Sequence, residues 1–534
     1  MKNLGTFDYV IVGAGSAGCV LANRLSEDPK VNVALLEAGG KDNYLWIHIP
    51  VGYLYCMGNP RTDWGFKTAP SAGLNGRSLN YPRGRVLGGC SSINGMIYMR
   101  GQAQDYDHWQ QLGNMGWKWD DILPYFLKSE DQHAIPADDL HQTGGEWRVE
   151  KQRLQWDVLE AFQDAAEEAG IPKTNDFNRG NNEGCGYFHV NQRRGWRWNT
   201  SKAFLRPAKK RSNLQIFTHA QVKKLNIEEG KVTGAELRLG DQNARIEARR
   251  EVILSAGAIG SPQILQLSGI GGIKRLKANG IDPVHQLEGV GENLQDHLQI
   301  RCVYKVKGVQ TLNQRAGSLL GRAGIGLEYA LFRKGPMSMA PSQLGAFAKT
   351  SSEYETPNVE FHVQPLSLDK FGDPLHSFPA FTASVCNLRP DSRGHVSIKG
   401  PDPFSHPEIQ PNYLSAETDK RVAADSIRLA RRIAAQPSLK KFSPVEHLPG
   451  STVNGDTKLA MAAGEIGTTI FHPVGTCKMG SDSMAVVDNR LRVHGIRGLR
   501  VVDASIMPTI TSGNTNSPVI MIAEKAADMI REDN

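Results

Sequence analysis

The sequence predicts an α/β protein in two parts: a dinucleotide-binding unit, and a second unit built on a mostly antiparallel sheet flanked by helices. Three observations carry that prediction. An apolar run at residues 9–12 enters a glycine turn at Gly13, Gly15 and Gly18, after which Ala17, Val20, Leu21 and Leu25 fall roughly on one helical face. Residues 303–465 contain no such turn and instead hold Pro-bounded strands. From residue 466 the chain returns to glycine-punctuated strand and helix.

In a strand–turn–helix of this kind, Gly13 permits the tight turn and Gly15 lets the backbone approach a pyrophosphate. Gly18 lets the helix pack closely on the strand, and the helix N-terminus offers free N–H groups to the anion. A second apolar strand, Val33–Leu36, ends at Glu37, 19 residues past Gly18. A carboxylate at that spacing accepts the hydroxyl protons of an adenosine ribose.

At 534 residues the chain has room for two to four domains, and its 40% hydrophobic and 22% charged content is that of a globular protein with a large core. No run approaches the ~18–20 apolar residues of a membrane span. The first strand begins almost at the N-terminus, so the expectation is a cytoplasmic protein without a secretory signal, with peripheral membrane contact left open. Seven scattered cysteines without a CxxC pair argue against a disulfide framework and a metal site, and are expected reduced and mostly buried. A net charge of +7 is modest for this length and does not by itself indicate nucleic acid.

Residues 81–101 pair glycines with small hydroxyl residues, which suits either a backbone lying against a ligand or a turn before a helix. Residues 157–169 read as an exposed amphipathic helix. Residues 193–211 are dense in Lys and Arg, with Trp196 and Trp198 interleaved. That pattern can bind single-stranded nucleic acid, but is more often a solvated face or serves one anionic ligand. Residues 213–217, 232–239 and 245–256 read as strands. A helix should follow with Ser261 as N-cap and Pro262 in its first turn, ending at the glycines after Ser268. In the 303–465 stretch, strands are expected at 359–364, 381–388 and 394–398, and helices near 319–332 and 416–435. The final helix should open at Ser517 and Pro518.

Four blocks occur in order: the first glycine turn with Glu37, residues 84–101, residues 257–271, and a C-terminal pair of His472 and Asn516. Together they resemble the glucose–methanol–choline (GMC) family of FAD-dependent oxidoreductases over nearly the whole chain. Cys90 stands where serine, threonine or glycine is usual in the family. The resemblance implies a discontinuous, Rossmann-like FAD-binding domain from residues 1–150, 200–302 and 466–534, and a substrate domain from 151–199 and 303–465. It implies that Gly13, Gly15, Ser16 and Gly18 hold the FAD pyrophosphate, that Glu37 holds the adenosine ribose, and that Ala38 belongs to the same cofactor site. Gly88, Gly89, Asn94, Gly95 and Met96 would lie along the ribityl chain and isoalloxazine. Val222 would meet the adenine. Ala256, Asp503 and Ala504, with Asn516 and Pro518 of the last helix, would complete the cofactor site. Some relatives attach FAD through a histidine near residues 91–94. None occurs there, so non-covalent FAD is expected.

By the same resemblance His472 is the base that removes an alcohol's hydroxyl proton while hydride leaves for flavin N5. Histidine suits that task because its ordinary pKa is near neutrality. Asn516 would hydrogen-bond the same oxygen. Ile470 and Phe471 precede the base and are expected, with Trp64, at the substrate. The implied activity is oxidation of a primary alcohol (aliphatic, aromatic or polyether) to an aldehyde, with electrons passing to a quinone-like acceptor or to oxygen. Choline oxidation is the alternative within the same chemistry, and a non-redox hydroxynitrile lyase is the alternative outside it.

Overall fold

The computed structural model describes residues 1–369 and 372–533. Two seven-stranded sheets form its framework. In the first, Leu214–Phe217, Val33–Leu36, Lys2–Val12 and Gln242–Leu254 lie side by side and parallel. Lys231–Leu239 and Ala220–Glu228 extend the sheet antiparallel from Gln242–Leu254, and Leu499–Val501 joins that long strand in parallel near its end. The inner parallel strand Val33–Leu36 is buried on both faces, which is why it reads as an unbroken apolar run rather than an alternation.

The second sheet is antiparallel at every pairing. Its order is Val445–Leu448, Leu298–Lys305, Ala380–Asn387, Val359–Gln364, Leu344–Ala348 and Gly184–Tyr187, with Gly467–Thr469 also paired to Leu298–Lys305. The strand Leu298–Lys305 thus crosses the expected domain boundary at 302/303, and Gly467–Thr469 joins this sheet from beyond residue 465. Alternation along Leu298–Lys305 divides its two faces. Ile300, Cys302 and Tyr304 enter a hydrophobic core shared with the helices Asp157–Glu168 and Glu417–Ala434. Gln299 and Arg301 face the other way, into a cavity between the sheets.

The expected strands and helices fall where the apolar spacing put them, with two revisions at glycine- and proline-rich joins. The middle helix spans Gly257–Leu267, so Pro262 lies inside it rather than in its first turn. A proline there leaves the Ala258 carbonyl without its helical N–H, and Thr476 Oγ1 donates to that carbonyl instead at 2.6 Å. Ser261 is not an N-cap; its hydroxyl donates to Asp503 Oδ2 at 2.6 Å. The last helix spans Asn516–Asp533, opening one residue before Ser517. All seven cysteines are free, and only Cys90 is not buried.

Candidate active site

The first glycine turn meets its conformational demands. Gly13 has φ 100°, and a Cβ on it would strike the Ser255 carbonyl at 2.5 Å. A Cβ on Gly18 would sit 1.9 Å from the Gly13 carbonyl oxygen, so this glycine is what lets the helix Ser16–Leu25 close onto the strand. A Cβ on Gly15 would touch only Ser255, at 4.0 Å, and no side chain caps the helix that begins after it. Its first N–H groups are therefore available to an anion. Glu37 closes the strand after the turn. Its carboxylate accepts from Ala14 N at 3.0 Å and from Gly39 N at 2.8 Å, and burial raises its pKa to about 7.

One cavity runs from this turn to the second sheet. Gly13, Gly15, Ser16, Glu37 and Ala38 line one part of it, with Val222 and Ala256 beside them. Gly89, Asn94, Gly95 and Met96 line it further on, and Asp503, Ala504 and Asn516 reach it from the C-terminal segment. Three expected cofactor residues stand behind this wall rather than in it. Gly18 serves the packing just described. Gly88 (φ 87°) donates its N–H to the Ala14 carbonyl at 2.8 Å, and Pro518 is buried in the first turn of the last helix. The cradle of small residues, free helix N–H groups and a terminal carboxylate fits a dinucleotide.

At the second-sheet side the cavity is lined by His472, Ile470, Phe471 and Trp64. Trp64 stacks on Phe66 at 5.6 Å, with the Arg85 guanidinium over its ring. Phe471 holds a left-handed backbone (φ 71°), pinned by its N–H donating to Thr469 Oγ1 at 2.8 Å and by Arg83 Nη2 donating to its carbonyl at 2.7 Å. That turn aims the next residue, His472, into the cavity.

His472 sits in a directed hydrogen-bond chain. His297 Nε2 lies 2.9 Å from the Leu388 carbonyl, which can only accept, so His297 Nε2 carries the hydrogen. Burial lowers the pKa of His297, which leaves its Nδ1 as an acceptor. His472 Nδ1, 3.1 Å away, is then the donor. The lone pair of His472 is thereby placed on Nε2, where the Asn514 amide nitrogen donates to it at 3.1 Å. Burial holds the His472 pKa well below its ordinary value, and His297, His362 and Arg83 push it the same way. It is an unprotonated base at neutral pH.

Asp296 anchors this chain. Its Oδ1 accepts the backbone N–H of His472 at 2.8 Å and of His297 at 2.9 Å. Its Oδ2 accepts from Tyr81 at 2.8 Å, Thr469 at 2.6 Å and Tyr413. One buried carboxylate thus ties segments far apart in sequence to the histidine loop.

The amide at His472 corrects an expectation. It belongs to Asn514, not Asn516. The Asn516 side chain stands at the first residue of the last helix, where its Oδ1 accepts from Ser16 Oγ at 2.6 Å and links that helix to the glycine turn. Asp296, His297 and Asn514 were not anticipated. A second Asn two residues before Asn516 was visible in the sequence, as was the adjacent Asp-His pair. Neither spacing shows which side chain reaches His472.

Residues 7–299 and 390–523 match the two family models described as GMC oxidoreductase. The chain is 41% identical over 527 residues to an alcohol dehydrogenase [acceptor] of Pseudomonas putida, covering 98% of this chain and 95% of the relative. It is 42% identical over 531 residues to an oxygen-dependent choline dehydrogenase of Photobacterium profundum, covering 98% and 93%. Among solved structures, pyridoxine 4-oxidase from Mesorbium loti superposes with a TM-score of 0.90 at 31% identity, covering 98% of this chain and 99% of that one. Formate oxidase of Aspergillus oryzae RIB40, in a study of FAD modification, gives 0.92 at 27% identity, covering 100% and 99%. With both family models matched and full-length relatives above 40% identity, the chain belongs to the GMC oxidoreductase family.

Proposed function

We propose that this protein is an FAD-dependent dehydrogenase that oxidises a primary alcohol to an aldehyde. The observation that carries the reading is the Leu388–His297–His472 chain, which places the His472 Nε2 lone pair on the cavity side, where it accepts from the Asn514 amide. FAD is held non-covalently by the glycine turn, Glu37 and the small residues at 89–96. When bound, it supplies the two-electron acceptor for the carbinol hydride. His472 Nε2 takes the hydroxyl proton. The Asn514 amide donates to the same oxygen and stabilises the charge that grows on it. His297 and Asp296 hold the imidazole in the tautomer and orientation this transfer needs. The two-domain division read from the sequence belongs to the same proposal, with the second sheet as the substrate side.

Between the two substrate classes of the relatives, an uncharged alcohol (aliphatic, aromatic or polyether) fits better than choline. The second sheet lines the cavity with Gln299, Arg301, His362 and Gln364, among which there is no carboxylate. Arg301 is buried with Nε and Nη2 lacking a hydrogen-bond partner, and although burial lowers its pKa to about 10, it stays charged at neutral pH. A fixed cation in the wall repels a quaternary ammonium. In this reading the electrons pass to a quinone-like acceptor; one relative is named for an unspecified acceptor and the other as oxygen-dependent, which makes oxygen the alternative.

The test is anaerobic bleaching of the purified flavoprotein by a medium-chain alkanol, benzyl alcohol, a short polyethylene glycol and choline, followed by air or a quinone. Bleaching by an uncharged alcohol, with fast reoxidation only by the quinone, is expected. Bleaching by choline alone would reassign the substrate, and rapid recovery in air would reassign the acceptor. No bleaching by any of them would overturn the proposed substrate class and leave a lyase reading open.

A further inference from the structure

The helix Leu319–Phe332 has the wrong side out. Its N-terminus is capped by Ser318, whose hydroxyl oxygen accepts from Gly321 N at 3.0 Å, and it ends where Arg333 turns left-handed. Only Ile325 and Tyr329, one turn apart, are buried. Leu320 (87% exposed), Leu327 (60%) and Leu331 (64%) form one outward stripe at helical spacing. Leu319 (83%) and Phe332 (62%) flank it at the two ends. A surface helix normally turns this stripe inward. Exposed apolar side chains scattered singly need no explanation, whereas a contiguous patch marks an interaction surface.

The rim of this patch is cationic. Arg322 and Lys334 are exposed on and just beyond the helix. The hairpin Gln192–Arg197 is fastened to its C-terminal end, where Tyr329 OH donates to the Gly195 carbonyl at 2.9 Å and the Arg333 guanidinium lies over Trp196. That hairpin presents Arg193 and Arg194 to solvent, and Arg153 Nε donates to the Arg333 carbonyl. On the acidic side, Glu328 is paired with Arg315 at 2.6 Å, and Glu150 accepts the Arg194 backbone N–H. Of the basic, tryptophan-bearing stretch at 193–197, Arg193 and Arg194 therefore belong to this rim, whereas Arg197 is buried against Ser91 and Asn94. Beyond the helix the chain runs into the cavity wall at Pro341 and Ser342.

We infer that this face docks on an anionic phospholipid bilayer, the leucines and Phe332 entering the headgroup–acyl boundary while the arginines and lysine meet the lipid phosphates. Apolar residues within a basic rim are what an interfacial helix requires. A second copy of the chain fits less well, because two such rims would face each other with like charge. The segment that forms the cavity wall then lies close to the membrane, where an apolar alcohol or a lipid-dissolved acceptor is concentrated.

The experiment is co-sedimentation of the FAD-loaded protein with vesicles of phosphatidylglycerol and phosphatidylcholine, or of phosphatidylcholine alone. Wild type should sediment with the anionic vesicles and much less with the neutral ones. Leu320→Glu/Leu327→Glu should weaken that partition at least about tenfold. Arg322→Glu/Lys334→Glu should abolish the preference for phosphatidylglycerol. Unchanged FAD content in each variant certifies its fold, and the partition requires no turnover, so it stands or falls apart from the alcohol-oxidation reading. Failure of wild type to sediment with either vesicle overturns the inference. So does leucine-variant binding equal to wild type, or a wild-type dimer in light scattering that the leucine variant dissociates while vesicle binding is unchanged.

Discussion

Replacing His297 with alanine isolates the tautomer from the base itself. The substitution leaves His472 in place but removes the acceptor 3.1 Å from its Nδ1. A buried N–H left without a partner costs roughly 1–3 kcal/mol. That penalty falls only on the tautomer with Nδ1 protonated, which is the one able to take a proton at Nε2. The competent population, and with it the rate constant for flavin reduction, should fall about 5- to 150-fold. FAD content should not change, since His297 does not line the cofactor cavity. The pH profile carries a second signature. His297 is one of the groups that push the His472 pKa down, so its removal should move the acid limb of the reduction rate upward, with burial still holding it below the ordinary histidine value. His297→Gln, which restores an acceptor, should recover part of the rate. The assay is anaerobic rapid mixing with saturating alcohol across pH. A variant that keeps both the wild-type rate and the wild-type acid limb would refute the tautomer argument, whatever its stability.

Four other outcomes follow from the geometry. Asn514→Ala should slow reduction about 10²-fold with FAD retained, as loss of an oxyanion donor does. Asn516→Ala should instead loosen FAD, because its partner is Ser16 at the glycine turn; rate constants and FAD content of the two variants separate these roles. Glu37 must be ionised to accept both ribose hydroxyls, and in the cofactor-free protein burial raises its pKa to about 7. FAD titration of apoprotein should therefore show an affinity that falls as pH drops below about 7 and levels off above it, with a proton released on binding; Glu37→Gln should flatten that dependence. Asp296→Asn should lower the thermal midpoint and the reduction rate together, since one buried carboxylate accepts from five donors, with charge-assisted bonds each worth roughly 1.5–3 kcal/mol.

The legible parts of this chain are those whose constraints are local. Gly13 and Gly18 are required by atoms within the same strand–turn–helix or in the neighbouring strand, and residues 33–36 announce burial on both faces by composition alone. His472 was legible through its place in a family block. What spacing does not carry is contact across the fold. Asp296 reaches His472 over 176 residues, and although Gly289 and Gly291 punctuate the chain just before it, neither shows which segment its carboxylate meets. The exchange between Asn514 and Asn516 has a narrower cause. The helix opens at Asn516 rather than at Ser517, which commits the Asn516 Oδ1 to Ser16 and leaves the preceding loop to present Asn514. Pro262 lies inside its helix for a related reason, because the Thr476 hydroxyl that allows a proline there comes from the C-terminal segment.

The claim on which the rest depends is that His472 Nε2 takes the substrate proton. Single-turnover reduction of His472→Ala by an alcohol that bleaches the wild type tests it directly, with FAD content measured on the same sample. The predicted result is full FAD occupancy and a reduction rate constant lower by roughly 10²–10⁴-fold, the usual worth of a general base. Full occupancy with a rate constant within a few-fold of wild type would contradict it.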